Sequence, residues 1–325
     1  MDRRLDAVTA ATGGVFTTKD AAAVGIRHEE IAHMVRRKEV IRVRRGAFVS
    51  GQVYRDADVD ERYRLQVMAA LRLRPTDAAA AHAALALRRL PTWGADLRRI
   101  DLAGAVKHHE SGAGLRVRPR GDLEVVTIGG RASVRIADAL VQHAAQSGIV
   151  AGVVAMDAAV HAKLVTVAGI AEAIERMPRS GRRRARAAAA LVDPACESVG
   201  ESRTRLLLLD FGLAFESQAR LYERRTLIGR VDFLVEERVV VEFDGLVKYA
   251  GLDGKEVLAA EKARESRLVA LGYEVVRLTW RELDDPVGVI ARIRDALARA
   301  LTRPAPPPRP APEPRTASEG ANSLV

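Results

Sequence analysis

The sequence predicts an α+β protein of several domains, with helices and strands mixed along most of the chain. Three observations support this prediction. The 325 residues are enough for two or three domains. Hydrophobic residues make up 48% of the chain, which is ample for buried cores. Short apolar or alternating runs, typical of strands, interrupt Ala-rich helical stretches. We divide the chain into residues 1–55, 56–190, 191–302 and a tail at 303–325.

The N-terminal domain is predicted from the order of its elements. Residues 14–49 indicate a helix, a turn at Gly25, a second helix and two short alternating strands. Ile31, Met34 and Val35 recur at helical spacing, so they should form the inner face of the second helix. This order of elements is that of a winged helix-turn-helix.

A dense basic stretch follows the second predicted helix. Between positions 36 and 45, one residue, Glu39, is acidic and six are basic: Arg36, Arg37, Lys38, Arg42, Arg44 and Arg45. Such concentration on a helix end and wing is the electrostatic footprint of phosphate contacts. The alternative is a basic face that serves solubility only, since basic residues are common in this chain.

The N-terminal segment resembles the winged-helix domain of AbiEi-type antitoxins, which autoregulate the transcription of type IV toxin–antitoxin operons. The resemblance continues more loosely through AHAALALRRLP and TIGGRASVRIADALVQHAA. It implies a mixed α/β, antitoxin-like middle region, double-stranded DNA as a partner, and a possible toxin or defence-system partner. It also implies a DNA-facing groove set, Arg27, His28 and Arg36, and a wing set, Arg42, Arg44 and Arg45.

Carboxylates stand out in the C-terminal domain. Two apolar runs within residues 230–245 predict neighbouring strands, and they carry Asp232, Glu242 and Asp244. Because side chains alternate along a strand, Glu242 and Asp244 share a face. Glu242 follows three valines, which favours a central strand. Carboxylate oxygens suit Mg²⁺ or Mn²⁺, so we predict a metal site; the alternative is a set of solvent-facing carboxylates on an edge hairpin.

The length of the hairpin turn decides whether Asp232 joins this face. A two-residue turn would pair Asp232 with Val241 and send Glu242 to the opposite face. A three-residue turn over residues 236–238 would pair Asp232 with Glu242. Neither Asn-Gly nor Asp-Gly is present to force the two-residue turn. We predict the three-residue turn.

An Asp on one strand, a Glu-x-Asp-Gly ending the next, a helix and the strand YEVVRLTW resemble the PD-(D/E)XK nuclease superfamily. More narrowly, they resemble small domains related to very-short-patch-repair (Vsr) endonucleases, from about Cys196 to Leu301. The resemblance implies a restriction-endonuclease-like α/β/α domain that hydrolyses phosphodiesters with a metal-activated water. Its implied ligands are Asp232 and Glu242, with Asp244 and Glu201 of the first helix completing or orienting the shell.

One departure from the superfamily pattern concerns its standard lysine, a residue thought to position the attacking water. Asp244 stands at that place, and Lys248 is the nearest replacement cation, implied to position water or touch the scissile phosphate. The helix after the hairpin carries Arg264 and Glu265, which match a basic–acidic pair of such domains. That pair would steady the site or contact phosphate; the alternative is a solvated helix face.

Composition limits the classes of function. Lysine plus arginine number 52 against 42 aspartate plus glutamate, a net charge of +10, and the sequence pI is about 10.2. This excess favours polyanionic partners. Aromatic residues make up only 4%, which argues against a base-stacking single-strand binder. The single cysteine excludes a disulfide framework and indicates a reducing compartment.

No membrane span or signal-peptide core is expected, so the predicted location is the cytoplasm. The Pro-rich stretch from Arg303 should be a disordered tail. The sequence thus leads to a hypothesis: a metal-dependent DNA endonuclease delivered to duplex DNA by its N-terminal domain. The rival hypothesis is a non-catalytic transcriptional regulator of the AbiEi antitoxin type, whose nuclease-like domain binds only DNA or a partner protein.

Overall fold

The structure is a computed structural model that describes residues 2–224, 226–245 and 254–309. The chain forms two compact units, residues 1–202 and 203–325. Within the described residues the strands form three sheets, of three, six and four strands. This confirms the predicted mixed α/β, multidomain composition. None of the described helices is both long and apolar enough to cross a membrane.

The first unit begins with an alternation of helices and a small antiparallel sheet. Its first elements are α1 (Arg3–Thr12), β1 (Val15–Thr17), α2 (Thr18–Ala23), α3 (His28–Arg36), β2 (Val40–Arg44) and β3 (Ala47–Ser50). The strand order is β1-β3-β2, so β3, the last of the three strands in the chain, lies in the middle of the sheet.

Local sequence explains the turn between α2 and α3. Thr17 and Asp20 form a capping box at the start of α2, in which each side chain bonds the other residue's backbone N–H. Gly25 then takes a left-handed φ of 75°, which a side chain would disfavour. Ile31 and Met34 of α3 are buried in a cluster that Val35 flanks, as the helical spacing predicted.

The middle region contains most of the helices of the first unit. It comprises α4 (Gly51–Asp56), α5 (Val59–Leu73), β4 (Ala78–Ala79), α6 (Ala81–Leu87), β5 (Ile100–Gly104), β6 (Glu110–Gly112), β7 (Leu115–Pro119), β8 (Val125–Ile128), β9 (Arg131–Val134), α7 (Ile136–Ser147), α8 (Ile149–His161), α9 (Val167–Arg176) and α10 (Arg182–Ala189). Its mixed sheet has the order β6-β7-β5-β4-β9-β8. Helix α11 (Val199–Asp210) begins in the first unit and ends in the second.

The small N-terminal sheet packs onto the middle region. Leu65 and Met68 of α5 lie in one buried cluster with Val15 and Val49 of the sheet. Apolar burial of this kind contributes roughly 25 cal/mol per Å². Helix α5 therefore shares a core with the first three strands, which fixes the N-terminal elements on the rest of the first unit.

The second unit contains a four-stranded sheet with helices against both faces. After α11 come β10 (Phe215–Glu223), β11 (Thr226–Val235), β12 (Val239–Phe243), α12 (Gly254–Ala270), β13 (Glu274–Leu278), a 3₁₀ turn (Glu282–Asp284) and α13 (Pro286–Leu301). The strand order is β10-β11-β12-β13, with the last pair parallel and the others antiparallel. Strand β12 is therefore interior, as its valine run predicted.

The core of the second unit lies on both sides of β12. Val239 and Val241 pack in one cluster with Ile293 of α13, whereas Val240 packs in another with Leu268 of α12. All three valines are fully buried. Because both faces of β12 are buried, its sequence is a continuous apolar run and does not alternate between apolar and polar residues.

The first residues of the Pro-rich tail make ion pairs with the second unit. Arg303 lies 2.7 Å from Glu274, and Arg309 lies 2.7 Å from both Glu216 and Glu237. Residues 310–325, the rest of the predicted tail, lie outside the described residues.

Truncating the core of the second unit should destabilise it. Ile293 is fully buried between α13 and the sheet, so Ile293→Ala should lower the free energy of unfolding by about 2–5 kcal/mol. Urea denaturation followed by circular dichroism measures this decrease. Val287→Ala is the matched control, because Val287 is 71% exposed on the same helix. Equal stability of the two variants would contradict the described packing.

Candidate functional site

The register of the β11–β12 hairpin determines where its carboxylates lie. Phe233 pairs with Val241 and Val235 pairs with Val239, so the turn between the strands has three residues. This confirms the predicted turn length. Continued by one residue, the same register places Asp232 opposite Glu242.

The hairpin turn itself is tight although it contains no glycine. The backbone N–H of Arg238 donates to the carbonyl of Val235 at 3.0 Å. Glu236 and Glu237 take left-handed φ values of 49° and 58°, a conformation that favours glycine. The Glu236 side chain also accepts a hydrogen bond from the backbone N–H of Ala214 at 3.0 Å. The turn is thus held from outside the hairpin as well as within it.

Asp232 is held by the neighbouring strand. Its Oδ2 atom accepts a hydrogen bond from the backbone N–H of Phe243 at 2.8 Å. The side chain is half-buried, so a satisfied oxygen is needed there. This contact fixes the Asp232 carboxylate at the end of β12, next to Glu242.

Glu242 is paired with an arginine from α12. The Arg264 Nη2 atom lies 2.7 Å from Glu242 Oε1 and 2.7 Å from Glu261 Oε1. The hydrogen bonds that Arg264 donates to Glu261 and Glu242 hold its pKa above its ordinary value, against the opposing effect of burial. The same guanidinium lowers the pKa of Glu261. Glu242 therefore has a protein counter-charge in this arrangement.

A second arginine extends the cluster from the neighbouring strand. Arg277 stands directly opposite Glu242 in the parallel β12–β13 ladder, and its Nε atom lies 3.7 Å from Glu242 Oε2. The Nη2 atom of Arg277 also lies 2.5 Å from Glu261 Oε1 and 3.0 Å from Glu265 Oε2. Five residues thus form an arginine–carboxylate cluster, with Arg264 and Arg277 between Glu242, Glu261 and Glu265.

Sequence reasoning missed two members of the arginine–carboxylate cluster, Glu261 and Arg277. The signal for Glu261 was its helical i,i+3 spacing from Arg264. The signal for Arg277 was its position in YEVVRLTW, but its partner depends on the register between β12 and β13, which the sequence leaves open.

The predicted metal ligands differ in how the fold places them. Asp232 and Glu242 offer the hard oxygen donors that Mg²⁺ or Mn²⁺ prefers. Among the described residues, however, no group of three or more His, Cys, Asp or Glu side chains could hold a metal ion. Asp244 follows β12 and donates its backbone N–H to the carbonyl of Leu278 at 2.8 Å. Lys248 lies outside the described residues.

Glu201 lies in the first unit, near the start of α11. Its Oε2 atom accepts a hydrogen bond from the backbone N–H of Glu197 at 3.0 Å, and its own N–H donates to Ser198 Oγ at 3.1 Å. The side chain is buried. These contacts satisfy backbone groups at the beginning of the helix, a capping role.

The basic residues of the N-terminal elements are mostly exposed. The apolar side of α3 is buried, which leaves its charged side to solvent. The exposed members of the predicted DNA-contact set are Arg27, His28, Arg36, Arg37, Arg42 and Arg45. Two of these arginines have a carboxylate partner: Arg27 lies 3.6 Å from Glu30, and Arg37 lies 2.9 Å from Glu39. Such exposed pairs contribute little to stability.

Two residues of the β2–β3 hairpin, the segment that the sequence predicts as the wing, differ in their surroundings. The Arg42 guanidinium lies 5.9 Å from the centre of the Phe48 ring, within cation–π distance, and remains exposed. Arg44 is half-buried, and its Nη2 atom donates to the carbonyl of Ala113 at 2.7 Å. Arg44 therefore ties the wing to the β6–β7 turn of the middle region.

A second contact between the N-terminal elements and the middle region lies at the end of α1. The Arg131 Nη2 atom donates to the carbonyl of Thr12 at 3.0 Å. Like the Arg44 contact, it satisfies a backbone carbonyl with a charged donor, which is among the stronger kinds of hydrogen bond. Together the two contacts hold α1 and the wing in place.

Comparison with known proteins bears on the N-terminal elements. The sequence model of a family described as a transcriptional regulator, AbiEi antitoxin, matches residues 3–51. The match runs from the first residue of α1 to the first residue of α4. None of the curated proteins compared with the chain matches it. The match supports the predicted resemblance of this segment to AbiEi antitoxins, while the nuclease resemblance of the second unit stays a prediction.

Proposed function

We propose that this protein binds double-stranded DNA through a winged helix-turn-helix formed by α1 to β3 and regulates transcription in the manner of AbiEi antitoxins. The observation that carries the proposal is the exposed cationic set on α3 and the β2–β3 wing, within the segment that the antitoxin family model matches. By the same likeness we propose a toxin or defence-system protein as a partner, and the cytoplasm as the location.

The geometry supports α3 as the helix that enters the major groove. It is nine residues long, and its buried side rests on the N-terminal core. Arg27 and His28 stand at its N-terminus, the end that reads bases in proteins of this architecture. Arg36 stands at its other end. Contacts of guanidinium groups with phosphate would fix the register of the helix on the duplex.

The wing contributes through Arg42 and Arg45, which are exposed. Arg44 has a different role in this proposal, because its guanidinium bonds the carbonyl of Ala113. It sets the position of the wing and does not bind phosphate. This assignment divides the three wing arginines into two that contact DNA and one that supports them.

Removing the exposed wing charges should weaken DNA binding. The double variant Arg42→Ala, Arg45→Ala removes two phosphate partners. The negative slope of log affinity against log salt should therefore become shallower, by about 0.9 for each phosphate that is no longer neutralised. Fluorescence anisotropy of a labelled duplex, titrated at several salt concentrations, measures both affinity and slope. Arg98→Ala is the control, because its side chain is 90% exposed but lies outside α1 to β3. An affinity and slope equal to those of the wild type would remove the wing from the interface.

A second candidate function is metal-dependent hydrolysis of DNA by the second unit. The observation that favours it is the three-residue turn, whose register, continued by one pair beyond Phe233 and Val241, would set Asp232 opposite Glu242 at the end of a buried central strand. In this proposal these two carboxylates hold Mg²⁺ or Mn²⁺, with Asp244 completing or orienting the shell. Lys248 would position water, and Arg264 would contact DNA, as the nuclease resemblance implies.

Isosteric removal of the two carboxylate charges tests the nuclease proposal. Asp232→Asn and Glu242→Gln should each weaken Mn²⁺ binding by about tenfold or more, since even an outer-shell change costs that much. Calorimetric titration of Mn²⁺ measures the affinity, and nicking of supercoiled plasmid with Mg²⁺ measures the activity. The control is Asp284→Asn, an exposed carboxylate of the same unit. If the wild-type protein neither binds Mn²⁺ nor cuts DNA, the nuclease proposal is wrong and only the proposed regulatory function remains.

Arg264 provides an independent test of the metal site. Its guanidinium occupies an oxygen of Glu242, so a metal ion must compete with it for that carboxylate. Arg264→Gln should therefore tighten Mn²⁺ binding, with Arg267→Gln as the matched control, an arginine of the same helix that pairs with Glu223 instead. Weaker Mn²⁺ binding in Arg264→Gln would show that this residue supports the site and does not compete for it.

A further inference from the structure

A cleft of about 740 Å³ lies in the middle region of the first unit and shares no residue with either candidate site. It opens between one face of the mixed sheet, at β5 and β7, and helix α7, and residues 176–180 form part of its rim. Its volume is within the range of small-molecule sites, which is about 300–1,000 Å³.

The floor of the cleft is apolar. Ala103 of β5 and Val141 of α7 line it, and both are buried. An apolar floor beneath a charged rim is the usual construction of a site that takes an organic molecule with a polar group at one end.

Three of the four carboxylates that line the cleft have cationic partners; the fourth is Asp122. Asp101 forms a two-point ion pair with Arg116, at 2.5 and 2.7 Å. Asp138 lies 3.4 Å from Arg176. On the rim, Glu124 lies 3.1 Å from Arg135. These three acids are therefore neutralised by arginines other than Arg118 and Arg120.

Arg118 and Arg120 also line the cleft. Unlike the arginines that neutralise its acids, they have no carboxylate partner among the described residues. Strand alternation puts Arg118 on the same face as Arg116, opposite Ala103 in the β5–β7 ladder. No carboxylate of the described residues lies within ion-pair distance of either guanidinium, and burial lowers the pKa of Arg118. Arg118 is exposed and Arg120 is half-buried, so both guanidinium groups can meet an anion that enters the cleft, and such an anion would supply a counter-charge.

We propose that this cleft binds a small organic anion. Arg118 and Arg120 hold its phosphate or carboxylate group, and its apolar part lies on Ala103 and Val141. Guanidinium forks suit both oxyanions, because each presents paired oxygens to the two N–H groups of a fork. The proposal is independent of DNA binding and of hydrolysis, since it uses none of the residues assigned to them.

Calorimetric titration of the full chain with two anions that share a phenyl ring tests the cleft. Phenyl phosphate and phenylacetate carry the two candidate groups, and benzyl alcohol is the uncharged comparison. We expect one bound anion per chain and no binding of benzyl alcohol, and the preferred probe identifies the anionic group. If neither anion binds, or if benzyl alcohol binds equally well, the proposal is wrong.

Variants locate the binding. Arg118→Gln should weaken the binding of the anion by about tenfold or more, because a charge-assisted hydrogen bond is removed. It should leave the melting temperature of the ligand-free protein unchanged, because Arg118 is exposed and makes no ion pair among the described residues. Arg98→Gln, whose side chain is exposed and lies outside the cleft, should bind as the wild type does. Equal affinity in Arg118→Gln, or an equal decrease in Arg98→Gln, would overturn the assignment.

Discussion

The permanent positive charge of arginine is the constraint on which the arrangement of this protein depends. A guanidinium cannot lose its proton inside a protein, so wherever the fold brings one out of water it must also bring a carboxylate or a carbonyl to meet it. The two-point pair of Arg116 with Asp101 inside the middle sheet is one answer. The bonds of Arg44 and Arg131 to the carbonyls of Ala113 and Thr12 are another.

The same constraint separates the arginines that build the structure from those available to a partner. Arg264 and Arg277 are committed to carboxylates of their own unit, and Arg44 is committed to a carbonyl. Arg42 and Arg45 are exposed at the wing, where a polyanion can reach them. A net charge of +10 alone makes no such distinction, because it counts a buried structural arginine and an exposed one equally.

The sequence predicted the features whose causes are local. The three-residue turn followed from the missing Asn-Gly or Asp-Gly signal, and the interior position of β12 followed from its valine run. The pairing of Arg44 could not be predicted, because its partner Ala113 lies 69 positions away. The pairing of Arg277 with Glu242 depends on a parallel register across α12, which hydrophobic patterning does not specify. The cleft could not be predicted either, because it depends on two long-range arrangements: the pairing of β5 with β7 and the packing of α7 against that sheet.

The arginine–carboxylate cluster of the second unit also bears on the choice between the two proposed functions. Half-buried carboxylates at the end of a central strand require a counter-charge, and either an arginine or a metal ion can provide it. In the described arrangement Arg264 provides it for Glu242, while Asp232 accepts the N–H of Phe243. A regulator needs nothing more than this paired state. A nuclease must exchange Arg264 for a metal ion, so the energy of that exchange, and not the presence of the carboxylates, separates the two functions.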